Sequence, residues 1–430
     1  MRTAHVSRSR GGREVHSRAV TETVVEGRLS RTFSALRYRD FRLLWLGAIT
    51  STIGTFMQTL AQAWLVYTLT GSAFLLGVDG FLATGPMLIF SLFGGVVADR
   101  MARKKIMMGS QIAQGTFALI LAALIWTHKV QIWHVFLLSF LTGSAQSFSG
   151  PAYISLLPLL VKREDVPNAV AMNSMQFNLA RVIGPAIGGL VFATMGAAWC
   201  FFINGISFGA VIIALLLIQM PPIQDQREGP RNIFADMREG FVFVRQRRTL
   251  LLLTFLSFAG TFLGMPLFTM LPVVAKRIFD LGPRGLSLLQ ADYGVGSVVG
   301  ALLVASSSYA AKKGKLALML QLAFALTLVA FGLSRSLGAS LVIAFIAGTC
   351  IVGVISLYSS LVQLTTSDAM RGRVMSIFML AFRGGMPLGN LLAGYVAQRW
   401  SITAALAVNG TVLAMVALAF ILRGTDLDTV

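Results

Sequence analysis

The chain has 430 residues, of which 56% are hydrophobic and only 12% are charged, and its mean hydropathy is +0.75. A soluble globular domain carries about twice that share of charged residues, so the composition excludes an ordinary soluble protein. The net charge of +19 would suit nucleic-acid binding. However, the basic residues stand in short gaps between long apolar runs, which is the pattern of a membrane protein.

Residues 1–40 form a polar, arginine-rich stretch without an apolar core. A signal peptide places its apolar stretch close to the start of the chain. We therefore interpret residues 1–40 as a cytoplasmic basic tail that is disordered over most of its length.

Twelve apolar runs follow, each near the roughly 20 residues that one membrane crossing needs. Most are apolar on all sides and rich in glycine and alanine, as in helices that pack closely in lipid. We predict an all-α integral membrane protein with twelve transmembrane helices. They lie near 43–69, 75–97, 106–126, 132–154, 168–194, 199–219, 249–272, 288–308, 316–333, 340–362, 374–398 and 401–422.

The lysines and arginines predict the orientation of these helices. With the N-terminus inside, the inner segments hold 28 of them and the outer loops hold six, while Arg181 and Arg383 fall within helices. Because basic residues favour the cytoplasmic side, we predict a multi-pass protein of the cell membrane with both termini in the cytoplasm.

The longest internal polar segment, residues 220–248, divides the chain into two parts. Its apolar residues recur at helical spacing, which is typical of an amphipathic helix at a membrane surface. These residues are Ile233, Phe234, Met237, Phe241 and Val244. The predicted domains are the tail 1–40, a six-helix bundle 41–219, the linker 220–248, a second six-helix bundle 249–423 and a cytoplasmic tail 424–430.

The two bundles repeat each other in sequence. Gly54-Thr55-Phe56 returns as Gly260-Thr261-Phe262, Leu75-Leu76-x-x-Asp79 as Leu288-Leu289-x-x-Asp292, and Arg181-x-x-x-Pro185 as Arg383-x-x-x-Pro387. Three matches in the same order indicate a duplicated unit. Since each unit has an even number of crossings, both run in the same direction, related by an axis along the membrane normal. Such bundles enclose a cavity near the midplane, and rocking one against the other opens it to alternate sides.

No pattern in the chain indicates catalysis, a cofactor or a metal. Cys200 and Cys350 stand alone in apolar segments, and the four histidines form no ligand cluster. The glycines between Gly294 and Gly300 lack the spacing of a dinucleotide-binding turn. With no P-loop either, we expect no ATP hydrolysis, no cofactor and no enzyme activity.

The loop after the second helix reads Gly95-x-x-x-Asp99-Arg100-x-Ala102-Arg103-Lys104. It resembles the signature G-x-x-x-D-R-x-G-R-K of the major facilitator superfamily, with Ala102 in place of the second glycine. The resemblance implies the superfamily's two six-helix bundles and a loop that holds them together in the outward-facing state. An ordinary basic loop is the alternative.

The fifth helix carries Gly184-Pro185-x-x-Gly188-Gly189, which is similar to a motif of exporters in the superfamily. Proline can bend a helix and glycines permit close packing, so ordinary small-residue packing is the alternative here. Residues 36–45, 150–158 and 239–244 resemble the enterobactin-exporter-like branch, and the whole resemblance spans about residues 35–423.

At one position the chain departs from the superfamily. Many of its proton-coupled drug exporters carry an arginine in the fourth helix, four residues before a glycine. Here Ser139 precedes Gly143 at that spacing, so no proton-relay role is transferred to this position.

Four ionisable residues lie within the predicted helices, where a charge is costly and usually faces a cavity or a partner. We predict that Arg181 and Arg383 bind anionic or polar substrate groups, with packing against backbone carbonyls as the alternative. Asp79 and Asp292 are the candidates for proton coupling, although each would also suit a helix end.

The resemblance implies that the second helix packs near the eleventh and the fifth near the eighth. That packing would pair Asp79 with Arg383 and Asp292 with Arg181. A difference in depth of about 12 Å, from the rise of a helix, counts against direct contact.

Amides and aromatic residues complete the predicted substrate site. Gln58 and Gln62 share one face of the first helix, and either cavity lining or hydrogen bonding between helices explains them. The other members are Trp64, Gln146, Tyr153, Gln176 and Asn178.

Together these features predict a secondary transporter that exports drug-like compounds, siderophores or amphipathic metabolites, driven by a proton gradient. Its partners would be the substrate, H+ and the bilayer, without nucleic acid, and a single chain would suffice. An importer of a small nutrient with the same fold is one alternative. A non-transporting membrane receptor or assembly factor is another.

Overall fold

A computed structural model describes residues 33–90, 103–219, 233–306 and 313–423, with the side chains of 233, 234, 305 and 306 left out. Over these residues the regular structure is entirely helical. We call the side at which α1 begins and α12 ends the inner side, and the opposite side the outer side.

The first six helices are α1 (Arg39–Thr70), α2 (Ala73–Phe90), α3 (Arg103–Trp126), α4 (Ile132–Leu156), α5 (Val166–Met195) and α6 (Ala197–Leu217). A linker helix (Ile233–Gln246) precedes the second six. These are α7 (Arg248–Arg277), α8 (Pro283–Ser306), α9 (Lys313–Leu333), α10 (Leu337–Leu364), α11 (Asp368–Arg399) and α12 (Ile402–Leu422). The predicted all-α fold of twelve membrane helices in two bundles is confirmed.

Eleven of the twelve described helices α1–α12 are long and apolar enough to cross a membrane, and α4 is the exception among these twelve. It has 25 residues, which is enough for a crossing, and it packs between α2 and α3. Its lower hydropathy comes from its hydroxyl and amide side chains. These include Ser139, Thr142, Ser144, Gln146, Ser147 and Ser149.

Several helices begin earlier than the hydrophobic pattern predicts, because their first turns are polar. α8 begins at Pro283, and proline is well suited to the first turn of a helix. Asp292 therefore lies nine residues into α8, about 14 Å along its axis, and not four residues from its start, as the predicted helix near 288–308 implied. α7 was also predicted as a single helix, but it is interrupted at Met265 before Pro266.

Apolar side chains form one core at the outer side and two at the inner side. The outer core joins both halves, from Leu65 and Leu76 in the first to Leu271 and Leu289 in the second. At the inner side, one core lies within the first half around Phe41, and another within the second half. Among the described residues the two halves are thus packed together only from the outer ends to about mid-depth.

Two pairs of helices form most of the contact between the halves: α2 packs on α11, and α5 packs on α8, as the resemblance implied. The linker helix packs on α11 and α7. Arg373 of α11 lies 2.6 Å from Asp236 and 2.8 Å from Glu239 of that helix. The linker helix is therefore attached to the second half, while the exact domain boundaries stay a prediction.

Candidate functional site

Hydrogen bonds close the passage between the two halves at the outer side. Arg277, at the outer end of α7, donates to the Tyr67 hydroxyl at 2.7 Å and to the Gly71 carbonyl at 2.9 Å. The Ala73 amide donates to the Gln398 side chain at 2.9 Å. These contacts lie above the shared core and reinforce the outer closure.

A second outer contact joins α5 and α8. The Ser287 hydroxyl donates to the Pro185 carbonyl at 2.8 Å, and Ser287 also fills the space where a side chain on Gly189 would begin. Toward the inner side, the described residues provide one further hydrogen bond between the halves, from Arg383 to the Met87 sulfur at 3.4 Å. Among the described residues, the hydrogen bonds between the halves therefore lie at the outer side and near mid-depth.

Arg181 lies one turn inward from the contact between α5 and α8. It is half-buried, and its guanidinium group lies 5.2 Å from the centre of the Phe177 ring. Pro185, four residues later, has no N–H to bond the Arg181 carbonyl. That carbonyl instead lies against Gly294 of α8, 2.9 Å from an ideal Cβ there.

Arg383 occupies the equivalent place at the contact between α2 and α11. It is half-buried, and its hydrogen-bond partner is the sulfur of Met87 on α2. Pro387 leaves the Arg383 carbonyl without a helical donor, as Pro185 does for Arg181. The repeated Arg-x-x-x-Pro sequence thus places a guanidinium group and a released carbonyl at both contacts between the halves.

Neither arginine has a carboxylate partner among the residues that the structure describes. The pairs expected from helix adjacency, Asp79 with Arg383 and Asp292 with Arg181, are therefore not formed. The reason is the direction of the side chains, because both acids point into their own halves.

Asp79 is held inside the first half by neutral donors. It is 5% exposed, and it accepts a hydrogen bond from the Ser139 hydroxyl at 2.5 Å. The Gln62 amide donates to both carboxylate oxygens, at 3.1 and 3.0 Å, and to Ser139 at 2.8 Å. Asp79 is thus part of a three-residue network that links α1, α2 and α4.

Asp292 has weaker support in the second half. It is half-buried and lies close to the main chain of Phe345 on α10. Its Oδ2 atom is buried without a hydrogen-bond partner. A buried carboxylate oxygen in that state is costly unless a proton, water or ligand satisfies it.

Four of the other predicted substrate residues are engaged in packing within the first half. The Gln58 carbonyl accepts from Asn204 at 2.6 Å, and Gln176 donates to Thr52 at 2.7 Å. Gln62 bonds Asp79, as described above, and Trp64 is buried in the outer core. In this conformation these bonds and contacts hold the helices of the first half together.

The remaining three members are more available. Gln146 is exposed, and Ser149 is its local partner. Asn178 is half-buried and donates to the carbonyl of Ser174 in its own helix. The Tyr153 hydroxyl is buried without a partner.

The glycine–proline motif of α5 creates close contact between helices. An ideal Cβ on Gly184 would lie 2.5 Å from Phe56 of α1, and one on Gly188 would lie 3.0 Å from Met57. α5 is one continuous helix through Pro185. The observed role of the motif is therefore packing against α1 and α8.

The structure describes only part of the basic loop motif. Gly95, Asp99 and Arg100 lie outside the described residues, whereas Arg103 and Lys104 begin α3. Arg103 donates to the Ser155 carbonyl at 3.2 Å, and Lys104 donates to the Ile218 carbonyl at 3.0 Å. Both carbonyls lie at the C-terminal ends of helices, where positive charge is favourable.

The sequence did not single out Asn390 of α11, which is 0% exposed. Both polar atoms of its side chain lack hydrogen bonds, and its Nδ2 lies 2.6 Å from an ideal Cβ on Gly80 of α2. Its position within a glycine-rich run of α11 was the one available signal. That signal could equally indicate simple packing.

The family model described as "transmembrane secretion effector" matches residues 30–427. Macrolide efflux protein A of Streptococcus pyogenes is 24% identical over 394 residues, covering 89% of this chain and 96% of that protein. The enterobactin exporter EntS of Shigella boydii is 28% identical over 386 residues, covering 86% and 88%. The crystal structure of the nucleoside transporter NupG (D323A mutant) has a TM-score of 0.72 at 15% identity, covering 90% and 100%.

The structural likeness to NupG supports the fold, and the family match covers nearly the entire chain. The chain belongs to the transmembrane secretion effector family and is a multi-pass membrane transporter of the major facilitator superfamily.

Proposed function

We propose that the protein exports anionic or polar amphipathic small molecules from the cytoplasm by alternating access, coupled to proton entry. The observation that carries this proposal is the pair of guanidinium groups, Arg181 and Arg383. Each lies just inward of a contact that closes the passage, and each lacks a carboxylate partner among the described residues. A substrate with acidic or hydrogen-bonding groups would satisfy both.

Several further observations support export. The excess of basic residues in inner segments favours a cytoplasmic position for both termini, so the contacts that join the halves at the outer side would lie away from the cytoplasm. A pump that collects substrate from the cytoplasm must be able to close its pathway on that outer side. The relatives named above are described as efflux and exporter proteins. One chain contains both halves of the pathway, and we propose that it works as a monomer.

The substrate role of the arginines is tested by Arg181→Gln and Arg383→Gln at equal expression. Loss of a hydrogen bond to a charged group costs about 1.5–3 kcal/mol, so each variant should raise the half-saturating substrate concentration about tenfold or more. Arg399→Gln, at the exposed outer end of α11, is the control. Unchanged transport in both inner variants would contradict the proposal.

Direction and substrate class need a second experiment, the accumulation of a compound panel in energised cells. The panel should contain a macrolide, enterobactin and neutral analogues, since the relatives named above are a macrolide efflux protein and an enterobactin exporter. An exporter lowers accumulation in cells that carry the protein, and an uncoupler abolishes the difference. Higher accumulation with the protein would instead identify an importer.

Proton coupling is proposed for Asp79 and Asp292, the two carboxyl groups held within the helices. Asp79→Asn and Asp292→Asn should be compared for transport with and without a pH gradient. If coupling uses one of them, its variant loses the response to the gradient while the other variant retains it. A full response in both variants and in the double variant would exclude coupling at these sites.

A further inference from the structure

A groove lies where the linker helix meets the inner halves of α7 and α11. Its volume is about 460 Å³, and it is lined by Met237, Arg238, Phe241, Thr254, Ile377, Leu380 and Ala381. Two of these residues carry polar side-chain groups, Arg238 and Thr254. The Thr254 hydroxyl is already bonded to the Leu250 carbonyl at 2.7 Å.

Arg238 is the one cation in the lining of this groove. It is exposed and has no acidic partner in the described part of the chain. Its two acidic neighbours on the linker helix, Asp236 and Glu239, are both bound to Arg373. The groove therefore combines hydrocarbon walls with one guanidinium group that forms no direct ion pair with a carboxylate of the described residues.

The level of the groove in the membrane follows from the linker helix. That helix precedes α7 at the inner side, and its Phe241 is 56% exposed. Exposed apolar and basic residues on one amphipathic helix are typical of the boundary between headgroups and acyl chains. Arg245 and Arg248, also exposed, are further basic residues of this side but lie outside the groove lining.

We propose that this groove binds one anionic phospholipid of the inner leaflet, with an acyl chain along the apolar walls and the phosphate on Arg238. A polar substrate in transit would need several hydrogen-bonding groups, as small-molecule sites usually provide. This groove offers one charge and no other free polar side chain. Basic pockets between helices on the cytoplasmic side are suited to acidic headgroups.

The test uses the full-length protein in detergent with a photoactivatable phosphatidylglycerol that carries a diazirine in its acyl chain. Labelled peptides are mapped by mass spectrometry. We expect labels on the linker helix and on α11 between Ile377 and Ala381. An equivalent phosphatidylcholine probe should label the same peptides about fivefold less, since one arginine near an acidic membrane surface contributes about 1 kcal/mol.

Three variants make the result specific. Arg238→Gln should reduce phosphatidylglycerol labelling about fivefold, and Arg238→Lys should retain it. Arg245→Gln, which removes an exposed charge of the same helix outside the groove, should leave it unchanged. Equal labelling by both lipids, no effect of Arg238→Gln, or labels confined to other helices would each overturn the proposal.

Discussion

The two halves of this protein carry an aspartate at equivalent positions of the repeat, but the two carboxyl groups differ in their hydrogen bonding. Asp79 of α2 accepts hydrogen bonds from Gln62 and Ser139. Asp292 of α8, in the repeated sequence Leu-Leu-x-x-Asp, has a buried oxygen that accepts none. A duplicated sequence has thus kept the acid and changed what surrounds it.

The missing donors can be located from the repeat itself. The offset of 206 that relates Gly54 to Gly260 takes Gln62 to Phe268. In α4 and α10 the offset of 205 that relates Gly143 to Gly348 takes Ser139 to Ala344. The second half therefore has apolar residues in place of both donors, and Phe268 packs its ring 5.8 Å from that of Tyr293.

At the outer closure, equivalent positions of the two halves also carry different residues. The offset of 206 relates Gly71 to Arg277, and these two residues bind each other across the halves. Gly71 ends α1 in the left-handed conformation, with φ at +62°, which glycine adopts without strain. Equivalent positions have become donor and acceptor of one contact, so each half contributes a different part of the closure.

The largest expected effect comes from making the first half resemble the second, with Gln62→Leu and Ser139→Ala together. Each change removes a hydrogen bond to the Asp79 carboxylate, so unfolding free energy should fall by about 3 kcal/mol or more. Thermal unfolding of the purified protein measures this loss. Adding Asp79→Leu to the double variant should recover most of it, because the unsatisfied acid is then gone.

The matched control is Ser144→Ala with Gln146→Leu. It makes the same two types of substitution, serine to alanine and glutamine to leucine, but at a half-buried and an exposed position of α4. Its unfolding temperature should stay near that of the unaltered protein. If the two double variants have the same unfolding temperature, the network around Asp79 does not stabilise the first half.

Asp79→Asn should lower the free energy of unfolding more than Asp292→Asn does, although by less than the double variant. The first places an amide N–H₂ against the Gln62 donor and should cost about 1–3 kcal/mol. The second replaces a carboxylate that has one buried oxygen without a donor, so little stability is lost. Thermal unfolding of both variants measures the difference, and equal losses would show that the two acids have equivalent surroundings.

Arg277→Gln tests the divergence at the outer side. It removes two hydrogen bonds that join the halves, and we expect the population open at the outer side to rise about three- to tenfold. Spin labels on Leu69→Cys and Arg284→Cys, in a background without Cys200 and Cys350, report the distance between the halves. Lys276→Gln is the control, since its bond to Asp280 stays within one half. No change with Arg277→Gln would mean that its two hydrogen bonds do not hold the outer side closed.

Features that depend on a short stretch of sequence, such as the helices, could be predicted, whereas contacts between distant side chains could not. Long apolar runs predicted all twelve helices, including the polar α4, and the repeat predicted two bundles in parallel orientation. The interruption of α7 at Met265 was missed, although Pro266 follows it directly. The reason is that a proline in an apolar run is compatible with both a bend and a first helical turn.

The partners of the acids could not be predicted in the same way. Helix adjacency favoured Asp79 with Arg383, yet Asp79 bonds α1 and α4 instead. Which way a side chain points depends on the rotation of its helix, and a change of one residue turns it by about 100°. In the sequence, Ser139 stands out only as a departure from the superfamily's pattern. Its role as a donor needed the positions of three helices together.

The smallest predicted effect is a gain from Ala344→Ser, which restores in the second half the hydroxyl that Ser139 provides in the first. Ala344 is buried and is next in sequence to Phe345, whose main chain lies close to Asp292. A hydroxyl there should donate to Asp292 and add up to about 1 kcal/mol of stability, visible as a higher unfolding temperature. The gain should vanish in the Asp292→Leu background. If transport falls while stability rises, Asp292 needs its free oxygen during the transport cycle, and its poor support is part of how the transporter works.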